Sequence, residues 1–260
     1  MILHATVRGE GDTLVLLHGL FGQSGNFGVI QRRLVQGGRR IIALDLRNHG
    51  ASPHAPGMDY RTMAEDVHET LAAIDVLPCA VLGHSMGGKV AMALALTHPG
   101  VVSRLCVADI APVRYPPHLA TYAAAMRDLP LHPGLTRAEA DAGLAPVVPD
   151  VGERAFLLSN LRLGTNPHWR IGLDAIIAGM GDIQDWPEIA ASPYAGPTLF
   201  LAGARSHYLR PEHRPAISAL FPAARFVTLK NAGHWLHADD PDGFVSVVEA
   251  FCPVATLRGA

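Results

Sequence analysis

The sequence predicts an α/β protein: a mostly parallel, doubly wound sheet with a helical segment inserted between two of its strands. Three observations carry that expectation. Short apolar runs alternate with longer stretches of helical character. One of those runs leads through Gly83-His84-Ser85-Met86-Gly87 straight into an Ala- and Leu-rich stretch. The alternation then stops for roughly ninety residues before it resumes.

The strand candidates are residues 13–17, 40–44, 80–83, 105–108, 198–202 and 225–229, each a short apolar run of the kind that is buried on both faces of a sheet. Residues 60–74 carry Met63, Val67, Leu71 and Ile74 at helical spacing, and residues 86–97 form a helix stopped by Pro99 and Gly100. Both helices are expected to pack on the sheet. The interval without strands opens on the proline-punctuated stretch 112–117, runs through helix-prone residues 119–129, 137–143, 153–160 and 169–180, and closes over 186–197. The expected organisation is a core of residues 1–111 and 193–260 with a helical cap, 112–192, over the carboxyl edge of the sheet. Open α/β sheets bind their ligands at that edge.

Composition narrows the function. A chain of 260 residues, 49% hydrophobic and 17% charged, has what a large buried core requires. With 21 basic and 23 acidic residues, a net charge of -2 and no run of like charges, it lacks the footprint of a nucleic-acid or anionic-membrane binder. The expected partner is a small molecule, and the oligomeric state stays open. Cys79, Cys106 and Cys252 have no CxxC spacing, so neither a disulfide framework nor a metal site is indicated. No charged leader precedes a long apolar stretch and no run nears bilayer-spanning length, which points to a cytoplasmic protein.

Three motifs carry chemistry. In the first, a strand, a sharp turn and a helix meet at Ser85; such a turn needs small neighbours, supplied by Gly83 and Gly87, and it lifts the serine hydroxyl out of the sheet. In the second, Val15-Leu16-Leu17-His18-Gly19-Leu20-Phe21-Gly22 passes from a strand end into a Gly-rich loop. An oxyanion hole would take one amide from Met86 and the other from Leu20, with Phe21 as the alternative. His18 is read as bracing this loop. The third is Asn231-Ala232-Gly233-His234-Trp235-Leu236-His237 after the last strand. A serine hydroxyl needs a base, and His234, last in chain order, is that base. His84 is expected to point away, and His237 to lie in a loop.

With these motifs in place the sequence resembles the α/β-hydrolases, and within them the bacterial YbfF-like esterases and their mitochondrial ABHD-type relatives. Further points of match are Asp45-Leu46-Arg47-Asn48-His49-Gly50 with Ser52 and Pro53, the elbow extended through Gly88 and Lys89, and Asp109-Ile110-Ala111-Pro112. They span almost the whole chain, and the Arg-Asn-His-Gly and Asp-Ile-Ala-Pro stretches are far more selective than the elbow. The resemblance implies an α/β-hydrolase fold and a capped esterase with neither metal nor organic cofactor. It further implies action on short acyl esters, with acyl-CoA thioesters as a second class.

In that superfamily the acid usually follows the strand at 198–202, but this chain reads Gly203-Ala204-Arg205-Ser206-His207-Tyr208, without a carboxylate. The base still needs a partner to fix its tautomer. Asp109, at the end of the strand that follows the nucleophile strand, can reach the same edge as Ser85. The resemblance likewise implies an Asp there, with Ser206 completing a group of four; which of the two is the main partner of His234 stays open. Tyr208 stands at the mouth of the loop, as a substrate contact or a packing residue. Asp45 and Arg47 are read as an ion pair holding their loop. Trp169, Met126, Tyr122 and Phe156 line an acyl pocket or pack the cap helices.

A serine at the elbow argues against dehalogenase or epoxide-hydrolase chemistry, which place aspartate there. The expected function is a serine carboxylesterase or thioesterase working through an acyl-serine. A carbon–carbon bond hydrolase or lyase on the same triad, or a weakly catalytic binding protein of this fold, are the alternatives.

Overall fold

The computed structural model describes residues 1–189 and 192–254. The first part of the chain forms β1 (Ala5–Arg8), β2 (Asp12–Leu17), α1 (Gly28–Gln36), β3 (Arg39–Leu44), α2 (Tyr60–Ala73), β4 (Cys79–His84), α3 (Met86–Thr97) and β5 (Val102–Ala108). Helices α4 (His118–Asp128), α5 (Arg137–Leu144) and α6 (Val151–Leu158), the short strands β6 (Leu161–Arg162) and β7 (His168–Trp169), and helices α7 (Leu173–Ala178) and α8 (Met180–Gln184) follow. The chain then returns through β8 (Thr198–Gly203), α9 (Arg214–Leu220), β9 (Ala224–Leu229), α10 (Leu236–Asp239) and α11 (Pro241–Phe251).

The main sheet has seven strands in the order β1-β3-β2-β4-β5-β8-β9. β1 is antiparallel to β3, and the other neighbours pair in parallel. Because side chains alternate along a strand, the apolar runs divide between two cores. Val15, Leu17, Ile42, Val81 and Val107 meet Met63, Val67, Val90 and Leu94 of α2 and α3 on one face. Leu14, Leu16, Ile41, Leu82 and Cys106 meet Ile30, Leu34, Phe244 and Val248 of α1 and α11 on the other. The sheet is therefore wound on both sides, as a chain of continuous apolar strands requires.

From β2 the chain moves to β3 on one side and later to β4 on the other, so the loops leaving β2 and β4 diverge at a switch point. The site is built there.

Several elements differ from expectation. β1, half exposed and only four residues long, carries little pattern. The helix expected over 169–180 is broken: Trp169 lies in β7, and Gly172 and Gly179 bound α7. At Gly179 a Cβ would lie 2.4 Å from Met58 Cβ, so close packing, not helix propensity, selects glycine there. The helix expected from 153 starts at Val151 because the Asp150 carboxylate accepts the Glu153 N–H. Residues 190 and 191 of the expected cap, and 255–260 of the expected core, lie outside the described residues. Among the described residues no helix is long and apolar enough to cross a membrane.

Candidate active site

β4 delivers the chain to Ser85, whose φ of 52° and ψ of -120° lie in a region few non-glycine residues adopt. The turn is held by Ser85 N–H donating to the Ala108 carbonyl at 3.0 Å and by Gly88 N–H donating to the Ser85 carbonyl at 2.8 Å. It closes so tightly that a Cβ on Gly83 would lie 2.1 Å from the Gly87 carbonyl oxygen, and one on Gly87 would lie 2.3 Å from that of Leu17. Both glycines are thus obligatory, and the serine pays for that geometry with backbone strain.

His234 sits on the loop after β9 with Nε2 3.1 Å from Ser85 Oγ and Nδ1 2.7 Å from Asp109 Oδ2. Asp109 is fully buried, directly after β5, with φ 54°. Its Oδ1 accepts Gly203 N–H at 3.2 Å, and its Oδ2 also accepts the Ser206 hydroxyl. Ser206 Oγ in turn accepts Tyr208 N–H at 3.2 Å. The loops after β8 and β9 touch, since a Cβ on Gly203 would lie 2.1 Å from the Gly233 carbonyl oxygen. Ser85, His234, Asp109 and Ser206, from four separate loops, are brought into one chain of hydrogen bonds. The Nδ1 of His234 faces Asp109, and Ser206 acts on Asp109 instead of on the histidine.

Tyr208 stacks on the His234 ring at 4.0 Å between centroids. Its carbonyl accepts the Tyr115 hydroxyl at 2.6 Å, and that hydroxyl accepts Ala111 N–H at 2.9 Å. The tyrosine is therefore both a packing residue and part of the cavity wall.

On the β2 side, His18 Nδ1 donates to the Gly19 carbonyl at 2.8 Å while Nε2 accepts Leu46 N–H at 2.9 Å, so His18 braces the loop. Phe21 N–H donates to His49 Nε2 at 3.0 Å, and His49 Nδ1 donates to the Arg47 carbonyl at 2.8 Å. Burial drives the His49 pKa down from 6.5 to about 3, with neighbouring His18 adding to it, so the ring is neutral and its Nε2 lone pair is available. Phe21 is thereby spoken for, whereas among the described residues the amides of Leu20 and Met86 have no hydrogen-bond acceptor. Between the two candidates, the free donor is Leu20.

Other expectations need correction. His84 does not point away: its Nε2 donates to the His234 carbonyl at 2.8 Å, tethering the loop. His237 belongs to α10, and burial, then His234, lowers its pKa to about 4. Asp45 and Arg47 do not pair. Asp45 accepts Ser24 N–H at 2.6 Å and Ala51 N–H at 2.8 Å, and Arg47 grips Asp66 through Nη2 at 2.9 Å. Partner choice depended on where α2 packs, which the local sequence does not encode. Of the four pocket candidates, Tyr122 and Phe156 line the cavity, whereas Met126 is fully buried and Trp169 Nε1 donates to its carbonyl at 2.9 Å.

The cavity has a volume of about 410 Å³ and brings Ser85 and His234 together with Leu20, Phe156 and Trp235. That is the size and largely apolar character of a small-molecule site. Away from it, Glu65, His68 and His98 place potential metal-ligand atoms within 4.8 Å of one another. His98 Nε2 lies 2.9 Å from a Glu65 carboxylate oxygen, and the His68 and His98 rings stack at 4.0 Å between centroids.

Comparison with known proteins places the chain in a family. The family described as alpha/beta hydrolase fold matches residues 12–241. The sn-1-specific diacylglycerol lipase ABHD11 of Mus musculus is 43% identical over 254 residues, covering 93% of this chain and 82% of that one. Esterase YbfF of Escherichia coli K12 is 36% identical over 245 residues, with 93% of each chain covered. A solved marine microorganism esterase superposes with a TM-score of 0.92 at 36% identity, covering 96% of this chain and 99% of that one.

Proposed function

The chain belongs to the α/β-hydrolase family, among the YbfF-like and ABHD-type esterases, and on that premise we propose that it hydrolyses carboxylic esters through an acyl-Ser85 intermediate. The observation that carries the reading is the unbroken line from Ser85 Oγ through His234 to Asp109, at 3.1 and 2.7 Å.

His234 Nε2 takes the hydroxyl proton as Ser85 attacks the ester carbonyl. Asp109 holds the ring in the tautomer with Nδ1 protonated and stabilises the imidazolium that forms. Ser206 and Gly203 N–H fix the carboxylate so that one oxygen faces the histidine. The developing oxyanion is received by the amides of Met86 and Leu20, the former at the positive end of α3, where fixed dipoles need no reorganisation. His234 then passes its proton to the departing alcohol. Water, deprotonated by the same ring, releases the acid and restores Ser85.

The inserted segment acts as a cap that supplies Tyr122 and Phe156 to the cavity and screens the site from bulk solvent while admitting the hydrolytic water. Acyl-CoA thioesters use the same steps, the departing thiolate taking the His234 proton and leaving as the thiol. The test is turnover of p-nitrophenyl acetate by the wild type and by Ser85→Ala and His234→Ala. Both variants are expected to lose activity by at least about three orders of magnitude. Retained turnover in Ser85→Ala would overturn the reading.

A further inference from the structure

Lys89 is buried on α3, about one turn past Ser85, at 1% exposure. Its Nζ donates to the Val113 carbonyl at 2.8 Å, at the start of the inserted segment, and to the Asp185 carbonyl at 2.7 Å, just after α8, with the Gln184 carbonyl at 3.4 Å. The rings of Tyr60 and Tyr115 lie 5.3 and 4.9 Å from the ammonium. One side chain of the nucleophile helix thus holds both ends of a segment that are separated by some seventy residues of sequence. Nothing in the ester mechanism uses this cation. A buried charge is seldom a source of net stability, and its best-attested role is to fix one arrangement over others.

The arrangement that Lys89 fixes borders Ser85. A second cavity, of about 30 Å³, opens between Ser85 and Lys89, with Leu20, Met86, Tyr115 and Leu119 among its walls. Tyr115 and Leu119 follow Val113 in the chain, and Ile183 and Gln184, which also line it, precede Asp185. Each wall is therefore anchored a few residues away by a carbonyl that Lys89 holds. His234 lines the large cavity and not this recess. The histidine must hand its proton to the leaving oxygen, so the alcohol side of the ester occupies the large cavity and the acyl side faces the recess. That recess has room for about two water-sized groups.

We propose that Lys89 is a positioning residue that locks both ends of the inserted segment to α3 and thereby favours a short acyl group over a long one beside Ser85. The inference rests on the ester-hydrolase reading and adds the acyl-length preference and the residue that sets it.

Two measurements test it. In the first, kcat/KM is compared for p-nitrophenyl acetate, butyrate and hexanoate. The wild type should favour acetate over hexanoate by at least about 10-fold, and Lys89→Met should bring the two within about 3-fold at unchanged Tm. A ratio left intact in Lys89→Met, or a uniform loss on all three esters with a lowered Tm, would overturn the proposal.

The second measurement needs no turnover: hydrogen-exchange protection factors of the amides of residues 113–115 and 183–186, as a function of pH. The groups facing Lys89 are Tyr60 of α2, Tyr115 and Asp185 of the segment with Arg114 beside Asp185, and His213 against Tyr115. Burial raises both tyrosines and lowers His213 from 6.5, while it lowers Lys89 from 10.5 to about 7. An opened segment returns Lys89 to water, so the closed form binds fewer protons, and raising the pH from 7 to 9 favours closure by up to about 50-fold. Protection should rise in the wild type and stay flat in Lys89→Met. If Lys89→Met fails to fold, Lys89→Gln, too short to reach both the Val113 and Asp185 carbonyls, replaces it, and protection that stays at the wild-type level in both segments overturns the clasp. Activity surviving in Ser85→Ala would sink the ester reading and the acyl-length claim with it, while protection still decides whether Lys89 holds the segment.

Discussion

Asp109 Oδ2 stands 2.7 Å from His234 Nδ1 across 125 residues of sequence. The contact orients the ring whose other nitrogen faces Ser85, so its removal should act on rate and not on substrate binding. Asp109→Asn keeps the shape but offers no anion and invites the wrong histidine tautomer. The expected outcome is a kcat reduced by about 10²- to 10⁴-fold with KM changed by less than about 3-fold, measured by steady-state kinetics. Near-normal kcat would remove Asp109 from the mechanism.

Ser206 touches Asp109 and the Tyr208 amide but not the base. Ser206→Ala deletes one hydrogen bond to a carboxylate that keeps Gly203 N–H and His234. A loss of about 10-fold in kcat, roughly 1.4 kcal/mol, is expected. A loss as large as that of Asp109→Asn would make Ser206 the principal partner.

Acid should unfold the protein partly through His49. Its folded-state pKa of about 3 lies below the ordinary 6.5, so between these values the unfolded chain binds more protons. The stability it contributes is complete above pH 6.5 and is lost as pH falls toward 3, about 2 kcal/mol of it by pH 5. His49→Gln, which can still accept from Phe21 N–H, should lose about 2 kcal/mol less than the wild type between pH 7 and pH 5 in denaturant melts. Parallel pH curves for the two proteins would refute this.

Two glycines should respond in opposite ways to alanine. A Cβ on Gly87 would meet the Leu17 and His18 carbonyl oxygens at 2.3 and 2.5 Å, whereas Gly181, inside α8, has nothing within 4 Å of its Cβ position. Gly87→Ala should cost more than about 3 kcal/mol or prevent folding, and Gly181→Ala should add about 0.5 to 1 kcal/mol through helix propensity. Thermal denaturation of both variants checks the contrast.

What was legible in the sequence followed from local constraint. Gly83, Ser85 and Gly87 announced a strained turn by their spacing alone, although only Gly83 is forced by backbone within the motif and Gly87 is forced by the Leu17 and His18 carbonyls of the neighbouring strand end. Five of the six apolar runs announced strands because both their faces are buried, and the edge run 225–229, only partly buried, did so by its alternation with the preceding helix. Asp109 was reachable by counting strands. The pairing of Arg47 with Asp66, the tether from His84 to His234, the hold of His49 on Phe21 and the clasp at Lys89 were not legible. Each joins residues whose proximity exists only once helices have packed on the sheet. The break at Gly172 and Gly179 was missed for the same reason: an apolar stretch reads as one helix until a neighbour occupies the space.

The central claim is that Ser85 carries the acyl group. Intact-mass and peptide mass spectrometry after reaction with a fluorophosphonate measures it most directly. One phosphonyl group on the peptide containing Ser85, none on the Ser85→Ala protein, and stoichiometric loss of ester hydrolysis is the predicted result. Labelling elsewhere, or hydrolysis that persists in the fully labelled protein, would contradict it.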